Sequence, residues 1–216
     1  MIKKALWFAL LLPLSAGAAT SEVHEFMLDN GMKVLVKEDH RAPIAVSQVW
    51  YKVGASYEPR GLTGVSHVLE HMMFKGTENL GPNEFSQIIA ENGGKENAFT
   101  GRDYTAYFQT LAADRLQVAF ELEADRMENL SLDEKEFQKE RQVVIEERRM
   151  RTDDKPTALT YEQFNATAYR VLPYRNPVIG WRSDLENLEL EDLSEWYSRF
   201  YAPNNALLVV VGDVDP

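Results

Sequence analysis

The chain has 216 residues, 44% of them hydrophobic and 11% aromatic, so it is long enough and apolar enough to bury a core. Acidic side chains outnumber basic ones by 34 to 23, and the formal net charge of -11 argues against partners such as nucleic acid or anionic membranes. The absence of cysteine excludes disulfides, thiolate metal sites and cysteine nucleophiles.

Residues 1–19 have the anatomy of a secretory signal peptide. A charged start precedes a short apolar run, and small residues follow up to a cleavage position near Ala18 or Ala19. A membrane anchor is the alternative, but the apolar run is too short to span a bilayer comfortably. We therefore expect an exported protein, periplasmic or secreted, with residues 20–216 as its folded domain and no membrane span after cleavage.

The first folded segment is predicted to be a β-hairpin. Apolar and polar residues alternate on both sides of Asn30-Gly31, which is the strongest short signal for a hairpin turn. A third, partly buried strand is predicted over residues 44–54, and a loop with proline and glycine leads from it to Gly64.

Two helices and a second hairpin follow. The first helix begins within residues 63–66 and ends near Lys75. The second is predicted over residues 81–94, with Asn83 as its N-cap and two glycines as its stop. Alternating Thr, Tyr and Phe then predict β-structure over residues 97–111, around a Gly-Arg-Asp turn.

Helices dominate the remainder of the chain. Periodic patterns predict four of them, over residues 114–128, 132–151, 158–169 and 184–202. A buried strand follows at residues 207–211, and the chain ends at Asp215-Pro216, a typical start of another helix. Strands, then helices, then a late strand predict an α+β fold with helices packed on a mostly antiparallel sheet, incomplete at its C-terminus.

The segment GVSHVLEHMMFKGT contains two of the four histidines. At about 100° per residue, Glu70 and His71 lie about 60° and 40° to either side of His67, so all three project from one helix face. Two imidazoles at this spacing can bind one metal ion, and zinc accepts them readily. Glu70 is poorly placed as a third ligand and well placed to take a proton from an attacking water. Incidental surface histidines are the alternative, but the apolar neighbours indicate burial, which is costly for unpartnered imidazoles.

A catalytic zinc ion binds three protein ligands, so a third ligand is expected elsewhere in the chain. The two remaining histidines, His24 and His40, lie in the first hairpin and in a polar loop. Both are expected to be ordinary surface residues. Because cysteine is absent, a carboxylate is the expected third ligand.

One predicted helix places glutamates among apolar residues. Four side chains recur at spacings of three, four and three residues: Phe137, Glu140, Val144 and Glu147. This is one helix face and should be the buried one, where a carboxylate must be paired or bind a metal. Glu146 points about 100° away from Glu147 and can face solvent. A charged helix with an irregular stripe explains the same pattern, and periodicity alone does not decide between the two.

His67-Val68-Leu69-Glu70-His71 matches the inverted zinc motif H-x-x-E-H. Together with ERQVVIEE at residues 140–147, it resembles the motifs of the pitrilysin/insulinase zinc peptidases. The resemblance covers nearly everything after the signal peptide, in the blocks LDNGMKVLV, ENGGKENAFTGRDYTAYF, RTDDKP, PYRNPVIGW and YAPNNALLVVVGDVDP. The chain is most similar to the N-terminal catalytic half of an exported bacterial member.

This resemblance implies a zinc-dependent endopeptidase with one Zn2+ per chain. It implies that His67, His71 and Glu147 are the metal ligands, which selects Glu147 over Glu146. Glu70 would activate the water that attacks the peptide bond. The substrate would be an extended peptide or an unfolded protein segment.

The resemblance also implies roles for residues around the metal. Glu140 would hydrogen-bond to a histidine ligand and orient it. An open edge strand would bind the substrate main chain as an added strand, and its residues would be Asn97, Ala98, Phe99 and Thr100. The alternative is that this strand belongs to the ordinary core of the sheet and binds no substrate, and the residues alone do not exclude it.

Members of the family close two similar domains around the substrate, and the second domain helps to grip it. We therefore expect that a second peptidase-like domain or a partner subunit is needed for full activity. A non-catalytic, peptide-binding subunit of a peptidase complex is the alternative function. A structural zinc site is a third hypothesis, which would need a fourth protein ligand.

Overall fold

The computed structural model describes residues 22–216, so the predicted signal peptide at residues 1–19 lies outside the described residues. Six strands form one open sheet in the order β1-β2-β6-β3-β5-β4. Their bounds are Val23–Met27 (β1), Lys33–Glu38 (β2), Ile44–Tyr51 (β3), Lys95–Thr100 (β4), Thr105–Ala112 (β5) and Ala206–Gly212 (β6). The β2–β6 pair is parallel and all other neighbouring pairs are antiparallel, which confirms the α+β prediction with a mostly antiparallel sheet.

Seven α-helices occur within residues 22–216. Their bounds are Val65–Met72 (α1), Glu84–Glu91 (α2), Leu116–Glu128 (α3), Glu134–Arg148 (α4), Pro156–Ala168 (α5), Arg182–Asn187 (α6) and Leu190–Phe200 (α7). A π-helical turn, Arg149–Asp153, continues from the end of α4. In this part of the chain no helix combines the length and the hydropathy needed to cross a membrane.

The central strand β3 shows how the helices pack on the sheet. Its residues alternate between buried and half-buried, so that one face of the strand is fully covered. The covered residues Val49 and Tyr51 belong to one apolar cluster with side chains of α1, α4, α6 and α7. The Tyr51 ring stacks on Tyr201 at a centroid distance of 4.2 Å, which ties the end of α7 to the sheet. The main core therefore lies between this sheet face and the helices.

The first hairpin forms at the predicted turn. β1 and β2 pair around Asn30-Gly31, Gly31 has a φ of 85°, and the Asn30 side chain accepts a hydrogen bond from the Met32 N–H. A left-handed φ carries little strain in glycine, because it has no Cβ. The turn residues and the alternating strands thus specify this hairpin locally.

Asn83 occupies the predicted N-cap position of α2, but its side chain does not act as the cap. Asn83 itself has a left-handed φ of 65°, and its side chain makes no capping hydrogen bond. The Glu84 carboxylate instead accepts from the Gly81 N–H at 2.7 Å and closes the turn that precedes the helix. The turn geometry moves the asparagine side chain out of reach of the free N–H groups.

The single helix predicted over residues 184–202 is two helices. The break lies at Leu188, which is extended and fully buried. Glu189 then starts α7 with a reciprocal capping box, in which its carboxylate and that of Asp192 each accept a backbone N–H. Burial of one leucine and a strong local cap together end α6 within a continuous helical pattern.

A buried ion pair joins α3 to the sheet. Arg126 is 0% exposed and its Nε donates to Glu123 at 2.8 Å, while Gln109 of β5 donates to the same carboxylate at 2.5 Å. The guanidinium lies 4.3 Å from the ring centroids of both Phe85 and Tyr107. The stability of the fold depends on this pairing, because burying the Arg126 charge without the Glu123 carboxylate would cost free energy.

We expect Arg126→Met to lower the free energy of unfolding by about 3–5 kcal/mol, because it leaves the Glu123 carboxylate buried without its cation. Urea denaturation followed by circular dichroism measures the change. The double variant Arg126→Met/Glu123→Leu should recover much of the loss. A single variant as stable as the wild type would contradict this role.

Candidate metal centre

Helix α1 is buried along most of its surface. Its apolar side chains are 0% exposed: Val65, Val68, Leu69 and Met72. The three polar residues of the motif project from the remaining face and line a cleft of about 520 Å³: His67, Glu70 and His71. The apolar positions therefore fix the rotation of the helix, and this rotation directs the three ionisable groups into one cavity.

Two carboxylates anchor the start of α1. Glu58 accepts the backbone N–H groups of Gly64 and Ser66 at 2.8 and 2.9 Å, and Asp184 accepts the N–H and hydroxyl of Thr63. Negative groups stabilise the N-terminus of a helix, where N–H groups lack partners within the helix. Because Gly64 has no side chain to act as a cap, the nearby Glu58 performs that role, and the distant Asp184 holds the residue that precedes the cap.

The segment around Gly180 packs directly against the beginning of α1. A Cβ on Gly180 would lie 2.5 Å from the carbonyl oxygen of Thr63, which is too close for any side chain. The preceding residues, Val178 and Ile179, line the cleft beside the histidines. This close backbone approach builds one wall of the cavity.

Glu147 of α4 meets the two histidines of α1. Its Oε2 lies 3.8 Å from His67 Nε2 and 3.6 Å from His71 Nε2. The three donor atoms all lie within 4.8 Å of one another, and no other such group occurs in residues 22–216. Tetrahedral zinc with bonds of about 2.0–2.1 Å holds its ligands about 3.3 Å apart. The observed donors need only small side-chain movements to reach that spacing.

The protonation states of two of the donors suit metal binding, and the third donor, His71, would release a proton when a metal binds. Burial and the neighbouring His71 lower the pKa of His67 to about 4, so its imidazole is neutral and has a free lone pair. The hydrogen bond from His71 lowers the pKa of Glu147, so this carboxylate is ionised. Two imidazoles and one carboxylate are a ligand set that zinc uses in catalytic sites.

Glu140 lies seven residues, or about two helical turns, before Glu147 on α4. It contacts His71 on the side of the ring away from the other donors. Its Oε2 is 2.9 Å from His71 Nδ1, and its Oε1 is 2.8 Å from Lys75 Nζ. Burial alone would lower the pKa of His71, but hydrogen bonds to the two carboxylates outweigh it and raise the pKa to about 9. The bond at Nδ1 orients the ring so that Nε2 faces the other donors.

Glu70 is on the same face of α1 but has a different partner. The Thr100 hydroxyl of β4 donates to its carboxylate. Burial raises the pKa of Glu70, although this hydrogen bond and the nearby His71 act in the opposite direction. A raised pKa makes the carboxylate a stronger proton acceptor, which suits a general base.

Strand β4 is the outermost strand of the sheet and pairs only with β5 within the described residues. Four of its residues line the cleft beside Glu70: Asn97, Ala98, Phe99 and Thr100. Ala98 and Thr100 are half-buried, whereas Asn97 and Phe99 are exposed. An open strand edge therefore lies beside the donor cluster.

The other two histidines lie away from the centre. His40 contacts Asp213 and Glu38, and His24 lies 3.6 Å from Glu38. Glu146 is exposed and pairs with Arg149 on the surface of α4. None of these three side chains lines the cleft that contains His67 and Glu147.

Several supporting contacts were not predicted from the sequence. Arg151 donates to Glu147 Oε1 at 2.6 Å, and Lys75 pairs with Glu140. The spacing of four residues between Glu147 and Arg151 is a signal that could have revealed the first contact. The anchoring of α1 by Glu58 has no comparable sequence signal.

An open sheet with an H-x-x-E-H helix and a distant glutamate beside both histidines is the arrangement expected of an inverted-motif metallopeptidase. The sequence model of Insulinase (Peptidase family M16) matches residues 33–181, and a second model, the Peptidase M16 inactive domain, matches residues 187–216. The chain belongs to the M16, or insulinase, family of peptidases. The predicted resemblance is thereby confirmed.

Named relatives agree with this assignment. The chain is 42% identical over 189 residues to the zinc protease PqqE of Helicobacter pylori, covering 87% of this chain and 43% of that protein. It is 31% identical to the rat cytochrome b-c1 complex subunit 1, covering 95% of this chain and 44% of the relative. The chain thus spans about half the length of the curated relatives that it matches.

Solved structures show the same fold. A protease from Helicobacter pylori superposes with a TM-score of 0.88 at 40% identity, covering 90% of this chain and 47% of the other. The first half of the periplasmic protease PqqL from Escherichia coli gives a TM-score of 0.81 at 25% identity, covering 89% of this chain and 43% of the other. The fold of this chain is that of one half of an M16 peptidase.

The Glu58 carboxylate should make the stability of the domain depend on pH. Burial raises its pKa to about 7, although two backbone N–H groups act in the opposite direction. The folded state then binds more protons than the unfolded state between about pH 4.5 and 7, so stability falls as pH rises through this window, by up to about 3 kcal/mol.

We expect Glu58→Gln to remove this part of the pH dependence. Urea denaturation of both proteins at pH 4.5 and 7.5 measures it, and Glu195→Gln at an exposed position serves as the matched control. An equal pH dependence in the wild type and in Glu58→Gln would contradict the assignment.

Proposed function

We propose that this chain carries the catalytic half of a zinc-dependent endopeptidase that cleaves extended peptides. The observation that carries the proposal is the convergence of His67, His71 and Glu147, with Glu70 in the same cleft. These three donors would hold one zinc ion. Homologues that are named zinc proteases support the same metal.

Bound zinc would polarise the scissile carbonyl and increase the acidity of the attacking water. Glu70 takes the proton from this water and passes it to the nitrogen of the leaving amine. Thr100 holds the Glu70 carboxylate in place through its hydroxyl. Arg151 binds the outer oxygen of Glu147, which directs the inner oxygen toward the histidines.

The substrate main chain would bind along the free edge of β4. A peptide that adds as an extra strand gains backbone hydrogen bonds with little dependence on its side chains. The edge residues Asn97 to Thr100 lie in the same cleft as Glu70, so a strand bound there passes the general base. This mode requires an extended substrate, which a peptide or an unfolded segment provides.

A second domain or a partner subunit would complete the substrate chamber. The proposal is supported by the length of the relatives, which is about twice that of this chain. The pattern at residues 1–19 supports export to the periplasm or out of the cell. The match to a mitochondrial cytochrome b-c1 complex subunit favours the second candidate, a non-catalytic subunit of a larger complex.

Adjacent glutamates of α4 test the ligand assignment. We expect Glu147→Gln to weaken zinc affinity by more than about tenfold, since a neutral amide is a poor replacement for the anionic ligand. Glu146→Gln is the matched control and should retain full zinc content, because its side chain is exposed and pairs with Arg149. Metal analysis after dialysis against a zinc buffer measures both, and equal zinc content would contradict the ligand assignment.

Replacement of the base tests catalysis separately from metal binding. We expect Glu70→Gln in the full-length gene product to keep its zinc and to lose about 10²–10⁴-fold in the rate of cleavage of a quenched fluorescent peptide. A chelator should abolish wild-type cleavage, and added zinc should restore it. Tight peptide binding without any cleavage by the zinc-loaded wild type would favour the non-catalytic subunit.

A further inference from the structure

We call the cleft that contains His67, Glu70, His71 and Glu147 the zinc cleft. A second cleft, of about 270 Å³, adjoins it, and we call this one the arginine cleft. Polar residues lie among apolar ones in its lining, and they include Arg102, Thr152, Tyr161, Glu162, Asn165, Arg175 and Asn176. Asn165 is only 7% exposed. The cleft is therefore a half-open cavity with mostly apolar walls that carries several polar side chains.

The two arginines have no carboxylate partner within residues 22–216. No ion pair involves Arg102 or Arg175, and Arg102 Nε is buried without a hydrogen-bond partner. The Arg102 guanidinium lies 5.4 Å from the centroid of the Tyr174 ring, which limits its motion. The adjacent Asp103 accepts hydrogen bonds from Ser56 and Tyr174 instead.

The one carboxylate in the lining is already neutralised. Glu162 accepts two hydrogen bonds from the Arg148 guanidinium, at 2.8 and 2.9 Å. Glu162 is the one carboxylate in the lining of the arginine cleft, so Arg102 and Arg175 have no acidic partner within that lining. Unpaired guanidinium groups in a cavity are suited to bind a carboxylate, which they recognise by two parallel hydrogen bonds.

The arginine cleft adjoins the zinc cleft. Both are lined by Thr152, Val178 and Ile179. Arg102 follows Thr100, the partner of Glu70, by two residues, in the tight turn that joins β4 to β5. An extended chain advances about 3.3 Å per residue, so a peptide on the β4 edge would reach Arg102 two or three residues from the scissile bond.

Building on the proposed peptidase function, we propose that the arginine cleft is a specificity subsite for a carboxylate of the substrate. The carboxylate belongs either to an Asp or Glu side chain near the scissile bond or to the C-terminus of a short peptide. Arg102 and Arg175 bind it, and Asn165 and Asn176 provide further polar groups at the cavity wall. The enzyme should therefore prefer acidic peptides despite its own negative charge.

Matched peptides test this subsite in the full-length gene product. In a series of quenched peptides, a single Glu occupies in turn each of the four positions on either side of the scissile bond. Each of these peptides is compared with the peptide that has Gln at the same position. Each pair is made with a free and with an amidated C-terminus, which separates the two sources of carboxylate. We expect kcat/KM to be at least about tenfold higher for Glu than for Gln at one position, or for the free C-terminus.

In Arg102→Gln/Arg175→Gln the ratio of kcat/KM for the acidic peptide to kcat/KM for its neutral counterpart should fall to about one, whatever the rate on the neutral, amidated peptide. Arg115→Gln, an exposed arginine outside both clefts, is the matched control and should retain the preference. Equal cleavage of all acidic and neutral peptides by the wild type would overturn the subsite, with the peptidase function intact.

Failure of the zinc-loaded wild type to cleave any peptide would instead contradict the proposed peptidase function. The subsite is then tested by fluorescence anisotropy with the same labelled peptides and the Glu70→Gln variant. Tighter binding of the acidic peptides, lost on replacement of both arginines, supports it. Equal affinity for acidic and neutral peptides overturns it.

Discussion

The contact between α1 and α4 is the interaction on which the site depends. Helix α1 is almost entirely covered, yet three of its eight residues are ionisable and need partners in a medium of low polarity. Helix α4 supplies partners for the two histidines through Glu140 and Glu147, seven residues apart, and Thr100 of β4 supplies one for Glu70. The same packing that buries the apolar side of α1 therefore assembles the donor cluster. Any change that moves either helix alters both the core and the metal centre.

Ion pairs surround the motif helix. Arg151 pairs with Glu147 and Lys75 pairs with Glu140, while Glu58 and Asp184 hold the segment at the start of the helix. Arg102 lies in the adjacent arginine cleft. In the proposed subsite, charge as well as main-chain pairing would orient a bound peptide.

The family fold alone does not determine what this chain does. Proteins named zinc proteases and subunits of the cytochrome b-c1 complex match the same residues. Function depends on the site that a fold carries. Here the two histidines, the candidate ligand Glu147 and the candidate base are all present and converge on one cleft. This complete set is the reason to favour hydrolysis over a purely structural role.

Local patterns determined much of this protein in advance. The Asn30-Gly31 hairpin, the motif helix and the buried stripe of α4 follow from turn chemistry and from helical periodicity. The resemblance selected Glu147, and the structure puts its side chain beside both histidines while Glu146 pairs with Arg149 at the surface. Each of these features depends on residues close together in the chain, or on a motif with a known partner.

Only the tertiary structure decided the remainder. The insertion of β6 between β2 and β3 and the burial of Leu188 result from packing between distant segments. The contact of Asp184 with Thr63 and the shared lining of the two clefts depend on such packing as well. Sequence periodicity indicates which face of an element is buried, because that is a property of one segment. It carries no information on which distant segment covers that face, because this depends on how the whole chain packs.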